Sequence, residues 1–227
     1  MAGTQASEAL ALGPLQVGVL LTLLPAVLLS MTSFVKLSVV LSLLRNALGV
    51  GNVPSTLVIS LWALLLSLHV MGPVFDQVVA RGTSFVQGSP EQVEWMHRPL
   101  SMRGWGAWSD FGAAVAPPVR GFLLRHAGQR ELALFRELAL ERSGADPGGF
   151  AVLLPAFLIT ELSEALSIGF MLFLPFLVVD LLVTIVLTAL GVTGLSTAVV
   201  ALPFKLVLFV VADGFYVLSK ALVAGYF

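Results

Sequence analysis

The uneven distribution of charge is the feature that most constrains how this chain can fold. Of its 12 basic and 13 acidic residues, 16 lie between Asp76 and Asp146, and the rest of the chain, which is mostly two long apolar flanks, holds the other 9. The chain is 58% hydrophobic with a mean hydropathy of +0.99, far from the balance of a soluble domain. The sequence therefore predicts an integral membrane protein with a polar insert.

Turn residues divide each apolar flank into two arms. Residues 15–75 are interrupted by "RNALGVGNVPST", whose glycines and proline are typical of a helix end followed by a turn. Residues 150–227 are interrupted by "LGVTGLS" in the same way. Each flank is predicted to be a long helical hairpin, so the expected fold is all-α. The two hairpins suggest a pseudo-repeat, although they share no residue-level similarity.

Two further segments, an N-terminal tail and the polar insert, complete the predicted organisation of the chain. Residues 1–14 form an N-terminal tail, and no Lys or Arg precedes Lys36, so a cleavable signal peptide is not expected and the first apolar run stays as an anchor. Residues 76–149 form a small helical domain outside the bilayer. Within it Leu132, Phe135 and Ala139 fall on one stripe of a predicted amphipathic helix.

Isolated charges in the apolar flanks are the candidate functional residues. A charge at the centre of a membrane helix costs about 2.5 to 3.5 kcal/mol, whereas Leu, Ile, Phe or Val contributes about −0.3 to −0.6 kcal/mol. Residues 150–174 hold fourteen such apolar residues, about −6 kcal/mol, against about +6 kcal/mol for Glu161 and Glu164. Insertion into lipid is thus marginal, and we expect the charges to face protein. The candidate residues are Lys36, Arg45, Glu161, Glu164, Asp180, Lys205 and Asp213.

Two explanations remain open for these charges. They can pair within the chain or extend towards water near helix ends, or they can be satisfied by other subunits of an obligate assembly. For the whole set we favour the assembly. If residues 31–49 form one continuous helix, Arg45 and Lys36 lie on opposite faces. Lys36 then needs an acceptor from another segment or another chain.

Arg45 also predicts the topology. It lies beside the first turn, where it reaches lipid headgroups or water, and the positive-inside rule then makes this turn cytoplasmic. A second pass returns the chain across the membrane. The polar insert is therefore expected in the periplasm.

No motif in the sequence indicates an enzyme. The HExxH, P-loop, GxSxG and GxGxxG patterns are missing, there are no cysteines, and the three histidines lack the spacing of metal ligands. We predict no catalytic residue, metal or cofactor, and the net charge of −1 gives no reason to expect nucleic acid. One alternative function is a small proton-coupled secondary transporter that uses Glu161, Glu164 and Asp180.

Four separated stretches carry a resemblance to a known family. "MTSFVKLSVVLSLLRNALG", "FLLRHAGQRELALFRELA", "LPAFLITELSEALSIGFMLFLPFLVVDLLV" and "LPFKLVLFVVADGF" resemble the FliP/SctR family (YscR/HrcR-like) of type III secretion export-apparatus proteins. The resemblance implies a core subunit of a bacterial inner-membrane complex, a pentamer joined by SctS-like and SctT-like subunits. SctU-like and SctV-like components and an inner rod or needle are further expected partners. Unfolded secreted proteins pass through the resulting cone-like channel.

The resemblance also implies roles for particular segments. The family's hairpins are largely lifted out of the bilayer after assembly, so Lys36 is expected to be held by neighbouring subunits. Family members often have a methionine-rich turn that seals the closed pore, and the matching turn here has no methionine. Val192 and Leu195 can still form an apolar constriction. The predicted gate consists of Gly191, Val192, Thr193, Gly194 and Leu195. The expected lack of a signal peptide favours an injectisome over a flagellum.

Overall fold

The computed structural model describes residues 22, 25–51, 54–87, 105–141, 146, 148–192 and 194–227, with only the backbone described for 105–109. All regular secondary structure in these ranges is helical, which confirms the predicted all-α fold. The helices with defined bounds are α1 (Phe34–Leu48), α2 (Thr56–Gln87), α3 (Trp105–His126), α4 (Gln129–Glu141), α5 (Phe150–Ala189), α6 (Thr197–Val211) and α7 (Gly214–Ala224).

The first hairpin consists of α1 and α2. Gly49 ends α1 at φ 74°, in the left-handed region that glycine adopts without steric cost, and its N–H bonds back to the carbonyl of Arg45. The second arm, α2, has 32 residues and continues to Gln87. The predicted boundary after residue 75 therefore falls inside a helix.

The stretch 31–49 is not the single continuous helix assumed above. Residues 31–33 form a turn, and α1 begins at Phe34. The hydroxyl of Thr32 donates to the Leu29 carbonyl at 2.7 Å and accepts from the Phe34 N–H at 3.2 Å. These local bonds compete with the helical pattern and explain the break.

The longest element, α5, is the central helix of the molecule. It has 40 residues, about 60 Å at 1.5 Å per residue, and α1, α3, α4 and α6 all pack against it. Close approach of α1 depends on Gly169, because a Cβ there would lie 2.2 Å from a methyl carbon of Leu43. The central helix thereby positions residues from distant parts of the sequence beside one another.

The second arm of the second hairpin is bent. Ala212 and Asp213 separate α6 from α7, and the two helices meet at 60°. Asp213 has φ 51° and ψ 43°, a left-handed conformation that costs a non-glycine residue about 1 kcal/mol. The sequence pattern did not predict this bend.

The polar helices pack on one end of α5. Ala127 and Gly128 separate α3 from α4, and the Gly128 N–H donates to the Thr160 hydroxyl at 2.8 Å. On α4, Leu132 and Ala139 are buried and Phe135 is half-buried. The predicted amphipathic stripe is therefore the side of α4 that packs against the rest of the molecule.

Two of the described helices, α2 and α5, are long and apolar enough to cross a membrane. The bent pair α6–α7 also qualifies if it is taken as one span. The described residues form two apolar clusters, one between α1, α2, α5, α6 and α7 and one between α2, α3, α4, α5 and Tyr226.

Candidate functional site

Lys36 lies at the centre of a buried ion cluster formed within the chain. Its Nζ is 3.3 Å from Oε1 of Glu161 and 2.8 Å from Oε2 of Glu164. The two glutamates are three residues apart on α5, so both reach the same ammonium from one helix face. Lys36 is 3% exposed and Glu161 1% exposed, whereas the Glu164 side chain is 52% exposed. The cluster is therefore buried at one end and reaches the surface at the other.

Tyr226, at the C-terminus, completes this cluster. Its hydroxyl donates to Oε2 of Glu161, and its ring centroid lies 3.9 Å from the Lys36 Nζ, a cation–π contact. Burial, followed by the nearby Glu161 carboxylate, raises the pKa of Tyr226, so the hydroxyl stays protonated and remains a donor. Sequence reasoning missed Tyr226 because a lone aromatic residue near a chain end has no pattern that indicates a role.

His126 borders the cluster from α3. Its ring centroid is 5.1 Å from that of Tyr226 and 4.6 Å from that of Phe122. Burial lowers the pKa of His126, and the positive charges of Lys36 and Arg125 lower it further, although Glu164 opposes them. The imidazole is therefore neutral near pH 7 and does not balance the second carboxylate of the cluster.

Lys205 forms a second ion pair that joins three helices. Its Nζ is 2.7 Å from Oδ2 of Asp180 on α5 and donates to the Ala47 carbonyl at 3.2 Å. Ala47 lies in the last turn of α1, where carbonyl groups lack helical partners and a cation is favourable. Oδ1 of Asp180 is buried and has no hydrogen-bond partner among the described residues.

Arg45 and Asp213 belong to neither ion pair. Nη1 of Arg45 donates to the Thr56 hydroxyl at 3.0 Å, which ties the two arms of the first hairpin together across the turn. Asp213 is exposed at the bend between α6 and α7, and its side chain makes no capping bond to α7.

Five of the seven predicted assembly residues are thus brought together as two intrachain ion clusters. The chain itself supplies the acceptor that Lys36 needs, which is the intrachain alternative left open by the sequence. The proposed carboxylates of a proton relay, Glu161, Glu164 and Asp180, each contact a lysine ammonium. Paired carboxylates are the arrangement expected of a structural network.

Four of the five predicted gate residues are described, and they lie in an exposed stretch between α5 and α6. Gly191 has φ 68°, and Val192, Gly194 and Leu195 are exposed, whereas Thr193 lies outside the described residues. Among the parts of the chain that the structure covers, no group of three or more potential metal ligands comes together.

These features define an all-α protein with membrane-length apolar helices and two buried lysines that are paired with carboxylates of the same chain. Residues 17–222 match the FliP family. Similar proteins include the flagellar biosynthetic protein FliP of Pectobacterium carotovorum subsp. carotovorum, 42% identical over 91% of this chain and 75% of that protein. The virulence protein YscR of Salmonella typhimurium is 35% identical over 94% and 97% of the two chains. The Yop proteins translocation protein R of Yersinia pestis is 37% identical over 91% of this chain and 92% of that protein.

The chain belongs to the FliP family. This confirms the resemblance seen in the four sequence stretches. Family membership makes the protein a subunit of a type III secretion or flagellar export apparatus.

Proposed function

We propose that several copies of this protein, a pentamer in the family it resembles, form a channel with SctS-like and SctT-like subunits. Unfolded proteins pass through this channel across the bacterial inner membrane. Family membership supports the proposal, as do relatives named for flagellar biosynthesis, virulence and protein translocation. SctU-like and SctV-like components and an inner rod or needle are its further proposed partners.

The exposed apolar surface of α5 carries the proposal. The helix is about 60 Å long, twice the roughly 30 Å hydrocarbon thickness of a bilayer. One untilted pass through lipid therefore covers only about half of it. Large apolar side chains are exposed along most of its length: Ile159, Leu162, Leu166, Phe170, Met171, Leu174, Leu177, Val178, Leu181, Leu182, Ile185 and Val186. These residues extend over about 40 Å of helix, so one pass through lipid leaves part of this surface uncovered, and we infer that neighbouring subunits cover it.

The ion clusters support the same proposal. Because Lys36 and Lys205 are already paired within the chain, the hairpins can leave the bilayer for a protein wall without separating buried charges. Glu164 is half exposed, and the Asp180 side chain is 40% exposed. These two carboxylates are the groups that we propose contact neighbouring subunits.

The turn after α5 is the proposed gate. Its exposed residues are small or apolar, and Gly191 at φ 68° allows a tight turn. A ring of such turns from several subunits can exclude water and ions by dewetting while remaining able to open. Val192 and Leu195 supply the apolar side chains of this proposed constriction.

The topology we propose places the polar helices α3 and α4 in the periplasm. Arg130 and Arg136 on α4 are exposed, so trypsin added to spheroplasts should cleave there. Partner proteins could shield these sites in the complete apparatus, so the digestion is repeated on cells that express this chain without its partners. Cleavage seen only when protease is inside the cytoplasmic compartment would reverse the topology.

Site-directed cross-linking tests the proposed homo-oligomer. The chain has no cysteine, so a single cysteine at Leu177, exposed on α5, is a clean probe. In the cell membrane, a thiol-specific bifunctional cross-linker should give products at multiples of the subunit mass. The matched control is a cysteine at Leu140, which is exposed on α4 away from this surface. The assigned interface would be contradicted if neither cysteine variant gave cross-linked products, or if only Leu140→Cys did.

A further inference from the structure

The bend between α6 and α7 is an unusual conformation for these residues. Asp213 is the one non-glycine residue with positive φ in the described parts of the chain. Its side chain is exposed and does not cap α7. The Asp213 side chain therefore provides no bond that offsets its backbone conformation, and contacts elsewhere must maintain the bend.

Packing at the bend depends on the next residue. A Cβ on Gly214 would lie 2.2 Å from an edge carbon of the Phe209 ring. The Phe209 ring also contacts Phe215 edge-on, with centroids 4.6 Å apart. The bent form thus has its own apolar contacts, which a straight helix would not make.

The far end of the arm is held by more specific contacts. Leu218 and Leu222 of α7 are buried in the cluster shared with α1 and α2. Beyond them, Tyr226 donates its hydroxyl to Glu161 and covers the Lys36 ammonium with its ring. A hydrogen bond to a buried carboxylate is among the stronger contacts available to a neutral side chain. Tyr226 therefore connects the end of the bent arm to the principal ion cluster.

We propose that α6 and α7 form a hinged arm with two positions. In the bent position Tyr226 is latched onto Glu161 and Lys36. In the straight position Asp213 is helical and residues 197–224 form one helix of about 42 Å. The two helices taken together are long and apolar enough for one membrane span, so the straight arm can cross a bilayer.

The two positions differ in how the ion cluster is protected. When Tyr226 leaves, Oε2 of Glu161 loses its donor and Lys36 loses its aromatic cover, while the Lys36–Glu161 and Lys36–Glu164 pairs remain. Lys205 pairs with Asp180 from α6, on the near side of the hinge. That pair remains in both positions and fixes α6 while α7 moves. The inference concerns a single chain and does not depend on the proposed assembly.

Distance measurements between spin labels test the latch. Cysteines replace Lys220 on α7 and Leu124 on α3, both exposed, in the otherwise cysteine-free full chain in mild detergent. Double electron–electron resonance should give one main distance for the parent protein and a second, longer distance for Tyr226→Ala. Loss of the charge-assisted bond predicts a rise of about tenfold or more in the ratio of straight to bent forms. Tyr226→Phe keeps the ring and should give a smaller rise.

The other tyrosine of the chain is the matched control. Tyr216 is also in the arm, but it is 61% exposed, so Tyr216→Ala should leave the distance distribution unchanged. Circular dichroism establishes that each variant keeps the helix content of the parent. A Tyr226→Ala distribution identical to that of the parent would overturn the latch.

Hinge variants test the proposal through an exposed residue that belongs neither to the latch nor to the core. Each hinge substitution is combined with Tyr226→Phe in the same chain, because we expect both positions of the arm to be populated in that variant. Asp213→Gly favours the left-handed backbone and should lower the straight-to-bent ratio about fivefold, whereas Asp213→Ala should raise it. Damage to the core cannot produce opposite shifts from one exposed position. Shifts in the same direction, or none, would overturn the hinge even if Tyr226→Ala fails to fold.

Discussion

Lys36 and Glu161 are separated by 125 residues in the sequence, yet their side chains form a buried ion pair at 3.3 Å. Lys36 belongs to the first hairpin and Glu161 to the second, so the pair joins the two apolar halves of the chain. The lysine is thus accommodated in an apolar segment by the same polypeptide. Assembly can then proceed through surfaces that carry few unpaired charges.

Reversing the charge of Lys36 should prevent assembly. Lys36→Glu places three carboxylates together in a buried site, and breaking a buried ion pair costs about 3 to 5 kcal/mol, a large part of the stability of a typical protein. We expect the ring to be lost on native gels. Arg45→Gln should be far milder, because Arg45 donates to the exposed Thr56 hydroxyl across a turn.

A charge exchange separates the ion pair from general damage. Adding Glu161→Lys to Lys36→Glu restores opposite charges at the two buried positions and should recover part of the assembled fraction. If Lys36→Glu alone assembles like the parent protein, the importance assigned to this residue is wrong.

Replacing Lys205 should destabilise the chain less than replacing Lys36. Lys205→Met removes the bonds to Asp180 and to the Ala47 carbonyl, at a cost of about 1 to 3 kcal/mol. The Asp180 side chain is 40% exposed, so water can partly solvate its carboxylate. The loss of stability is measured as the shift in the midpoint of thermal unfolding between each variant and the parent protein in detergent. Lys220→Met, on an exposed residue of α7, is the control and should change stability by less than about 0.5 kcal/mol. A Lys205→Met midpoint equal to that of this control would contradict the account.

The helices and the need to neutralise the charges could be predicted from the sequence, because composition and turn residues report on both. Which carboxylate pairs with which lysine could not be predicted from the sequence. Lys36 has several possible carboxylates, and which one it meets depends on how α1 packs against α5 through contacts such as Leu43 on Gly169. The bend at Asp213 and the role of Tyr226 depend on contacts between distant segments. A local sequence pattern does not contain that information.

The stability of the protein should fall on acidification because of His126. Burial and nearby positive charges lower its pKa below the ordinary value of 6.5. As the pH falls through 6.5, the unfolded chain therefore binds a proton before the folded chain does, and the folded state loses stability. Unfolding midpoints between about pH 7.5 and 5.5 measure this slope, above the range in which ordinary carboxylates titrate.

Two substitutions isolate the contribution of His126. His126→Phe should flatten the slope in this pH range, because the titrating group is gone and an aromatic ring still packs on Phe122. His69→Gln, on an exposed residue of α2, should keep the parent slope. Equal slopes for His126→Phe and the parent would assign the pH dependence to another group.

A charge in the turn after α5 should make the assembled complex leak. Val192→Asp or Leu195→Asp introduces a ring of carboxylates where the proposed constriction excludes water, so ions should pass. Conductance of the purified complex in planar bilayers measures the leak, and intact assembly is checked on native gels. Leu140→Asp, an exposed change on α4, is the control. Conductance equal to that of the parent for both turn variants would move the gate to another segment or to a partner.

The mass of the purified particle in mild detergent tests the central proposal most directly. Size-exclusion chromatography with multi-angle light scattering separates the protein mass from that of the bound detergent. A channel subunit of the proposed kind should form a stable particle of several copies of the 24.0 kDa chain, and the pentamer implied by the family corresponds to a protein mass of about 120 kDa before partners are added. A small proton-coupled transporter permits a monomer or dimer. A particle that remains a monomer or dimer, both alone and when produced with its SctS-like and SctT-like partners, would contradict the proposed function.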